Sequence, residues 1–213
     1  CGRRIYQTKS KRIVTVVAVA LFLLAFGLTL YPLISSYVNQ KCASEIQTVY
    51  QELIRQTDDS VLQEAKQQAI AYNLAITPGT ANAYSEDALL SAAENYNSQL
   101  DIAGNGIIGY VIIPKIQVNL PIYHGTDAEV LDRGVGHLLG SSHTILSGHS
   151  GMASQKMFTD LEQLAQGDVF YLNVLNETLA YQVIQISTVL PYETELLSIV
   201  PGADLCTLVT CTP

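Results

Sequence analysis

The chain has 213 residues, 48% of them hydrophobic, and a formal net charge of −8; that length suits one domain of ordinary size with an added segment. Five of the eleven basic residues lie before residue 13, whereas all 19 acids lie after residue 34 against six bases. An acidic body of this kind lacks the basic face that nucleic acids require, so no nucleic-acid partner is expected.

The chain begins at Cys1 rather than Met and stops at Pro213, two residues after Cys211. Both ends therefore read as cut from a longer gene product. Residues 1–12 form a basic cytoplasmic segment. Ile13 to Ile34 is a run of 22 residues without a charge. At about 1.5 Å per residue a helix of that length crosses the ~30 Å hydrocarbon core. A cleaved signal peptide has a shorter apolar stretch with a small-residue cleavage site behind it. Here Tyr31-Pro32-Leu33 and Tyr37 follow instead, and the tyrosines suit the headgroup layer. The spacing predicts an uncleaved transmembrane anchor over 13–34. Basic residues before it hold the N-terminus inside, so the rest lies outside the cell: a single-pass membrane protein with an extracellular body.

Residues 35–101 are read as a helical stalk with a candidate lid. Ile46, Val49, Tyr50, Leu53 and Ile54 fall on one helical stripe. Asp58-Asp59-Ser60 interrupts it, and Ser60 is the expected cap of a second helix to about Tyr72, with Val61, Ala65, Ala69 and Tyr72 on its face. Thr77-Pro78-Gly79-Thr80 is a turn signal, and Ser85 with Glu86 and Asp87 opens a short helix to about Ala93.

From Ile102 the texture changes to strands, over a domain of residues 102–213. Ile107 to Ile113 is apolar throughout, as a strand buried on both faces would be. Val118, Leu120 and Ile122 alternate with Asn119 and Pro121. Thr144–Ser147, Asp168–Leu175, Thr178–Leu190 and Leu205–Cys211 are further strand candidates, with Asn176-Glu177 as a hairpin turn. Phe158, Leu161 and Leu164 fit one short helix. Strands outnumber helices and do not alternate with them, which favours an antiparallel sheet or barrel.

The chemistry-bearing residues are few. Cys1, Cys42, Cys206 and Cys211 show no CxxC or zinc spacing, and Cys206 and Cys211, five apart on one strand, face opposite sides. Cys211 ends an apolar strand run, where a thiol can meet solvent in a groove. Cys206 reads as a buried structural thiol. His149 sits in Leu146-Ser147-Gly148-His149-Ser150-Gly151, a tight loop between glycines. A cysteine nucleophile needs an imidazole that holds the thiolate and later protonates the leaving amine, and the two are expected to be distant in sequence and close in space. His137, His143 and His149 are each six apart, but Gly140 and Ser141-Ser142 interrupt any regular element, so no metal is assigned. His124 reads as a packed polar group or a turn residue.

Taken together, the pieces resemble the sortases. Thr207-Leu208-Val209-Thr210-Cys211 matches the family's TLxTC signature, and Leu146-Ser147-Gly148-His149 matches the segment carrying its catalytic histidine. Gly109 to Ile116 and Leu120 to Gly125 match its opening strands, in the same order. Within the family the chain looks most like class C, the pilus-assembling group, through Leu120 to Thr126, Gly134 to His137 and Phe158 to Leu161. The resemblance implies a mainly β fold, a closed sortase β-barrel, its last strand missing here, with the N-terminal transmembrane helix and helical extension. It implies catalysis by Cys211 and His149, no cofactor, and pilin or surface-protein substrates with LPXTG-like signals, joined through a thioester acyl-enzyme. The family's catalytic Arg lies on the strand after the Cys, and neither Arg55 nor Arg133 matches that position. The fragment itself is therefore expected to be inactive. No Asp-Pro-aromatic lid motif stands in 74–100. A class A-type sortase acting on cell-wall precursor, a hydrolytic cysteine peptidase and a non-catalytic sortase-like binding scaffold are the alternatives.

Overall fold

A computed structural model describes residues 2–75, 95–138, 143–152, 155–193, 195–197, 200 and 202–211, of which 2–10 and 195 as backbone only. The turn at 77–80, the helix expected over 85–93 and the lid lie outside the described residues. The chain divides into two compact units, the first built on Cys1–Gln40 and the second taking up at Lys41.

Helix α1 runs unbroken over Gly2–Gln56, with Pro32 inside it. No acid or turn signal interrupts 13–34, and not one of those side chains is buried. The stretch has a mean hydropathy of 2.8 at its peak, long and apolar enough to cross a membrane. Helix α2 follows over Asp59–Ala75. Its start is held by Asp58 rather than Ser60: the Asp58 carboxylate accepts from the Ser60 backbone N–H at 2.8 Å and from the Ser60 hydroxyl at 2.6 Å. Those bonds hold the Asp58 carboxyl below its usual pKa, the hydroxyl contributing most. The buried face also differs from expectation. Leu62 is buried and Val61 is 46% exposed, while on α1 Tyr50 and Ile54 are buried and Val49 is 70% exposed.

The second unit is built on a seven-stranded sheet in the order β6-β5-β1-β2-β3-β4-β7. The strands are β1 (Ile107–Ile113), β2 (Val118–His124), β3 (Val135–His137), β4 (Thr144–Ser147), β5 (Val169–Val174), β6 (Glu177–Gln182) and β7 (Cys206–Val209). Strand β1 is buried on both faces because a separate apolar cluster covers each, and a register irregularity between Ile107 and Gly109 interrupts its alternation. Ile108, Val111 and Ile113 enter one core with Ile122, Leu146, Phe158, Phe170 and Leu172. Ile107 and Tyr110 enter the other, under Tyr50, Ile54 and Leu62 of the helices. The Tyr50 hydroxyl stitches the second cluster: it donates to the Ile108 carbonyl at 3.3 Å and accepts the Leu175 N–H at 3.2 Å. Burial raises its pKa.

The sheet curls into a half-barrel. Tyr181 of β6 and Cys206 and Leu208 of β7, from its two edges, pack against one core, and the Tyr181 hydroxyl bonds to Asp204 at 2.8 Å. Among the described residues no strand joins β6 to β7. Among the elements without a counterpart in the sequence analysis are helix α3 (Ala128–Arg133), capped by Asp127 through the Val130 N–H, and the short β3 that follows it. The hairpin turn is Leu175-Asn176, one residue earlier than expected, because Glu177 already pairs with Val174. Strand β6 ends at Gln182, its last pair being with Val169; Val183 still exchanges backbone bonds with Gly167 and Asp168 at 2.8 Å, and 184–190 forms no strand. Leu161–Gln163 is a single 3-10 turn rather than a helix.

Candidate active site

The site follows from the register of β4 and β7. These strands pair in parallel, Thr144 with Cys206, Ile145 with Thr207, Leu146 with Leu208 and Ser147 with Val209. Past the last rung the Gly148 N–H donates to the Val209 carbonyl at 3.1 Å. The Thr210 hydroxyl then donates to the Gly148 carbonyl at 2.8 Å, and the Ser150 hydroxyl donates to the Cys211 carbonyl. Every rung joins residues 62 apart in sequence, as are Gly148 and Thr210, and His149 stands 62 before Cys211. Paired strands run about 4.8 Å apart. The backbones that carry the two residues singled out from the sequence therefore run side by side just beyond the end of the ladder, tied there by the bonds from Thr210 to Gly148 and from Ser150 to Cys211.

The loop carrying His149 is held from below as well. The Phe158 N–H donates to the His149 carbonyl at 2.9 Å, and Gly151 N–H donates to the Thr159 hydroxyl at 3.1 Å. Glycine is required at 148 by packing: a Cβ there would lie 2.8 Å from the fully buried Phe158 ring. The His149 side chain is part-exposed, and its Nε2 lies 3.9 Å from an Asp132 carboxylate oxygen at the end of α3. Nothing in the sequence pointed to Asp132 or Ser150, since both act across the fold or through a loop.

The two neighbouring thiols differ sharply. Cys211 is exposed. Cys206 packs against the barrel core, where burial, with Asp204 adding to it, pushes its pKa up to about 12. A thiol so disfavoured as thiolate is a poor nucleophile at neutral pH. Cys42 is exposed on α1.

The other three histidines are packed polar groups. Nδ1 of His137 lies 2.8 Å from the Tyr96 hydroxyl, which also bonds the His137 carbonyl at 2.6 Å and the Gly125 N–H at 3.2 Å. A hydroxyl has one hydrogen, so with it on the carbonyl the imidazole Nδ1 carries the proton toward Tyr96. Burial, with the His124 ring adding to it, lowers the His137 pKa to about 4. His124 is buried edge-on to Tyr96, with ring centroids 4.6 Å apart. His143 precedes β4, with its Nε2 2.7 Å from the Thr207 hydroxyl. Among the described residues no three His, Cys, Asp or Glu side chains gather as a metal site. Arg133 lies over the Tyr123 ring at 4.7 Å, and Arg55 pairs with Glu52 at 3.1 Å, both on the helical side of the sheet.

The sortase-domain family model matches residues 111–213. The crystal structure of sortase C1 from Streptococcus agalactiae is 40% identical, covers 79% of this chain and 90% of its own, and superposes with a TM-score of 0.73. Sortase C of Streptococcus pneumoniae is 35% identical over 79% of this chain and 88% of its own, with a TM-score of 0.67. Among curated proteins, sortase A of Streptococcus agalactiae is 32% identical over 116 residues, 50% of this chain and 47% of that protein. The chain spans about half the length of the first curated relatives it matches, 47% and 54%. The chain belongs to the sortase family, and its solved-structure neighbours place it nearest the class C sortases.

Proposed function

We propose that this chain carries the active site of a membrane-anchored cysteine transpeptidase that joins pilin subunits at an LPXTG-like sorting signal. The observation that supports it most is the β4–β7 register with its two hydroxyl ties, which keeps the backbones carrying His149 and Cys211 side by side past the ladder. Cys211 attacks the carbonyl of the signal's Thr, and the sulfur–carbon bond forms as the peptide bond after that Thr breaks. His149 gives its proton to the leaving amine. A Lys amine of the next pilin then displaces the sulfur, leaving an isopeptide bond and a free thiol. The Streptococcus pneumoniae relative is described in terms of pilin substrate specificity, which supports the choice of acceptor. The apolar span of α1, preceded by Arg3, Arg4, Lys9, Lys11 and Arg12, supports a single-pass anchor with residues beyond 34 outside the cell. On this reading residues 102–213 form the catalytic domain, 35–101 the helical stalk with the candidate lid region, 13–34 the anchor and 1–12 the cytoplasmic segment.

The test uses the full-length protein, an LPXTG peptide and an amine acceptor. Cys211→Ala abolishes thioester capture, and His149→Ala slows acylation by ~10²-fold or more. Ligation retained by Cys211→Ala would remove the assignment. A second reading, a class A-type sortase acting on cell-wall precursor, draws support from the curated relative named sortase A. A pilin Lys and a cell-wall peptide amine, offered in competition, separate the two by the product that forms.

A further inference from the structure

We infer that Ser150 is a positioning residue for the transfer reaction, an inference that rests on the roles proposed for Cys211 and His149. Backbone pairing between β4 and β7 stops at the bond from Gly148 to Val209. The nucleophile and the imidazole both lie past that point, where two strands with no further bonds would part. Two side-chain hydroxyls continue the pairing in opposite directions. Thr210 reaches from the cysteine strand to the Gly148 carbonyl at 2.8 Å, and Ser150 reaches from the histidine loop to the Cys211 carbonyl. His149 sits between the two attachment points on its loop, Gly148 and Ser150. The bond from Phe158 to the His149 carbonyl fixes the loop to the floor but does nothing to hold it to the cysteine. Ser150 is thus the residue on the histidine loop that addresses Cys211 itself. Proton transfer between sulfur and imidazole depends on geometry at the ångström level, so slack in this tie lowers the reactive fraction without removing either group.

The experiment compares the full-length wild type with Ser150→Ala and Ser150→Thr, measuring kcat and KM for an LPXTG peptide and the thermal midpoint of each. Losing one such hydrogen bond is expected to lower kcat about 3- to 10-fold. For a positioning role KM stays within about twofold, and the midpoint moves little because Ser150 lies outside the buried core. Ser150→Thr, which keeps the donor, restores most of the rate. The inference is overturned if Ser150→Ala keeps the wild-type kcat. It is equally overturned if both variants are slow and both melt early, because the hydroxyl then serves the fold alone. Cys211→Ala run in parallel separates the layers: if it still turns over, the functional reading fails, whereas if it is dead while Ser150→Ala is fully active, only the positioning role fails.

Discussion

Acid should loosen this fold through one largely packed imidazole. His137 is held neutral, its pKa lowered to about 4 by burial and then by the neighbouring His124. In the unfolded chain an imidazole takes up its proton near pH ~6.5. The folded value is the lower one, so the unfolded state binds more protons as pH falls. The associated stability is complete above pH ~6.5 and is lost progressively toward pH ~4. Between pH ~7 and ~5 the two pKa values give a loss of about 2 kcal/mol, a sizeable share of the 5–15 kcal/mol that typically holds a domain. The burial that lowers the His124 pKa acts in the same direction. Carboxylates such as Asp58 and Asp168, whose pKa values are lowered, also lose contributions in acid, so the wild-type curve alone is not diagnostic. The assay is denaturant unfolding in detergent micelles at the two pH values, for wild type and His137→Asn. Asn keeps a donor for the Tyr96 hydroxyl but does not titrate. The variant should lose about 2 kcal/mol less than wild type on the same acid step. Equal losses in the two proteins would refute the reasoning.

Other perturbations follow from the packing. Gly148→Ala puts a Cβ against the Phe158 ring, which has no room to move, and should cost about 1–3 kcal/mol in chemical denaturation while slowing acylation through the displaced His149 loop. Tyr50→Phe leaves the Leu175 N–H without its partner beneath the helices, and should lower stability by about 1–2 kcal/mol with peptide transfer unchanged. Cys206→Ala keeps the exposed thiol and should retain thioester formation; loss of the adduct in that variant would move the nucleophile to 206.

What the sequence revealed follows the physics of each element. Strand β1 was visible because seven apolar residues in a row bury both faces, and the apolar span of α1 because charge is absent over 13–34. The partnership of Cys211 and His149 rested on resemblance, because a parallel rung between residues 62 apart leaves no local trace. Strand β3 is three residues long with glycine in the middle, too short for a periodic pattern to register. The extent of β6 was overestimated because alternation past Gln182 continues in the sequence while the partner β5 runs out at Val169. The first apolar residue of α2 was misassigned because Val61 and Leu62 are adjacent apolar residues and local periodicity does not say which one the sheet covers; Leu62 packs with Tyr110 and Tyr123. Ser150 and Asp132 carry no sequence signal at all, since their significance lies in what the fold sets beside them.

The most direct measurement is tandem mass spectrometry of the full-length protein mixed with an LPXTG peptide and quenched before the acceptor amine is added. A hydroxylamine-sensitive acyl adduct is expected on the peptide containing Cys211, with Cys206 and Cys42 unmodified. An adduct on another cysteine, or peptide transfer that proceeds with Cys211 replaced by Ala, would contradict this assignment of the nucleophile.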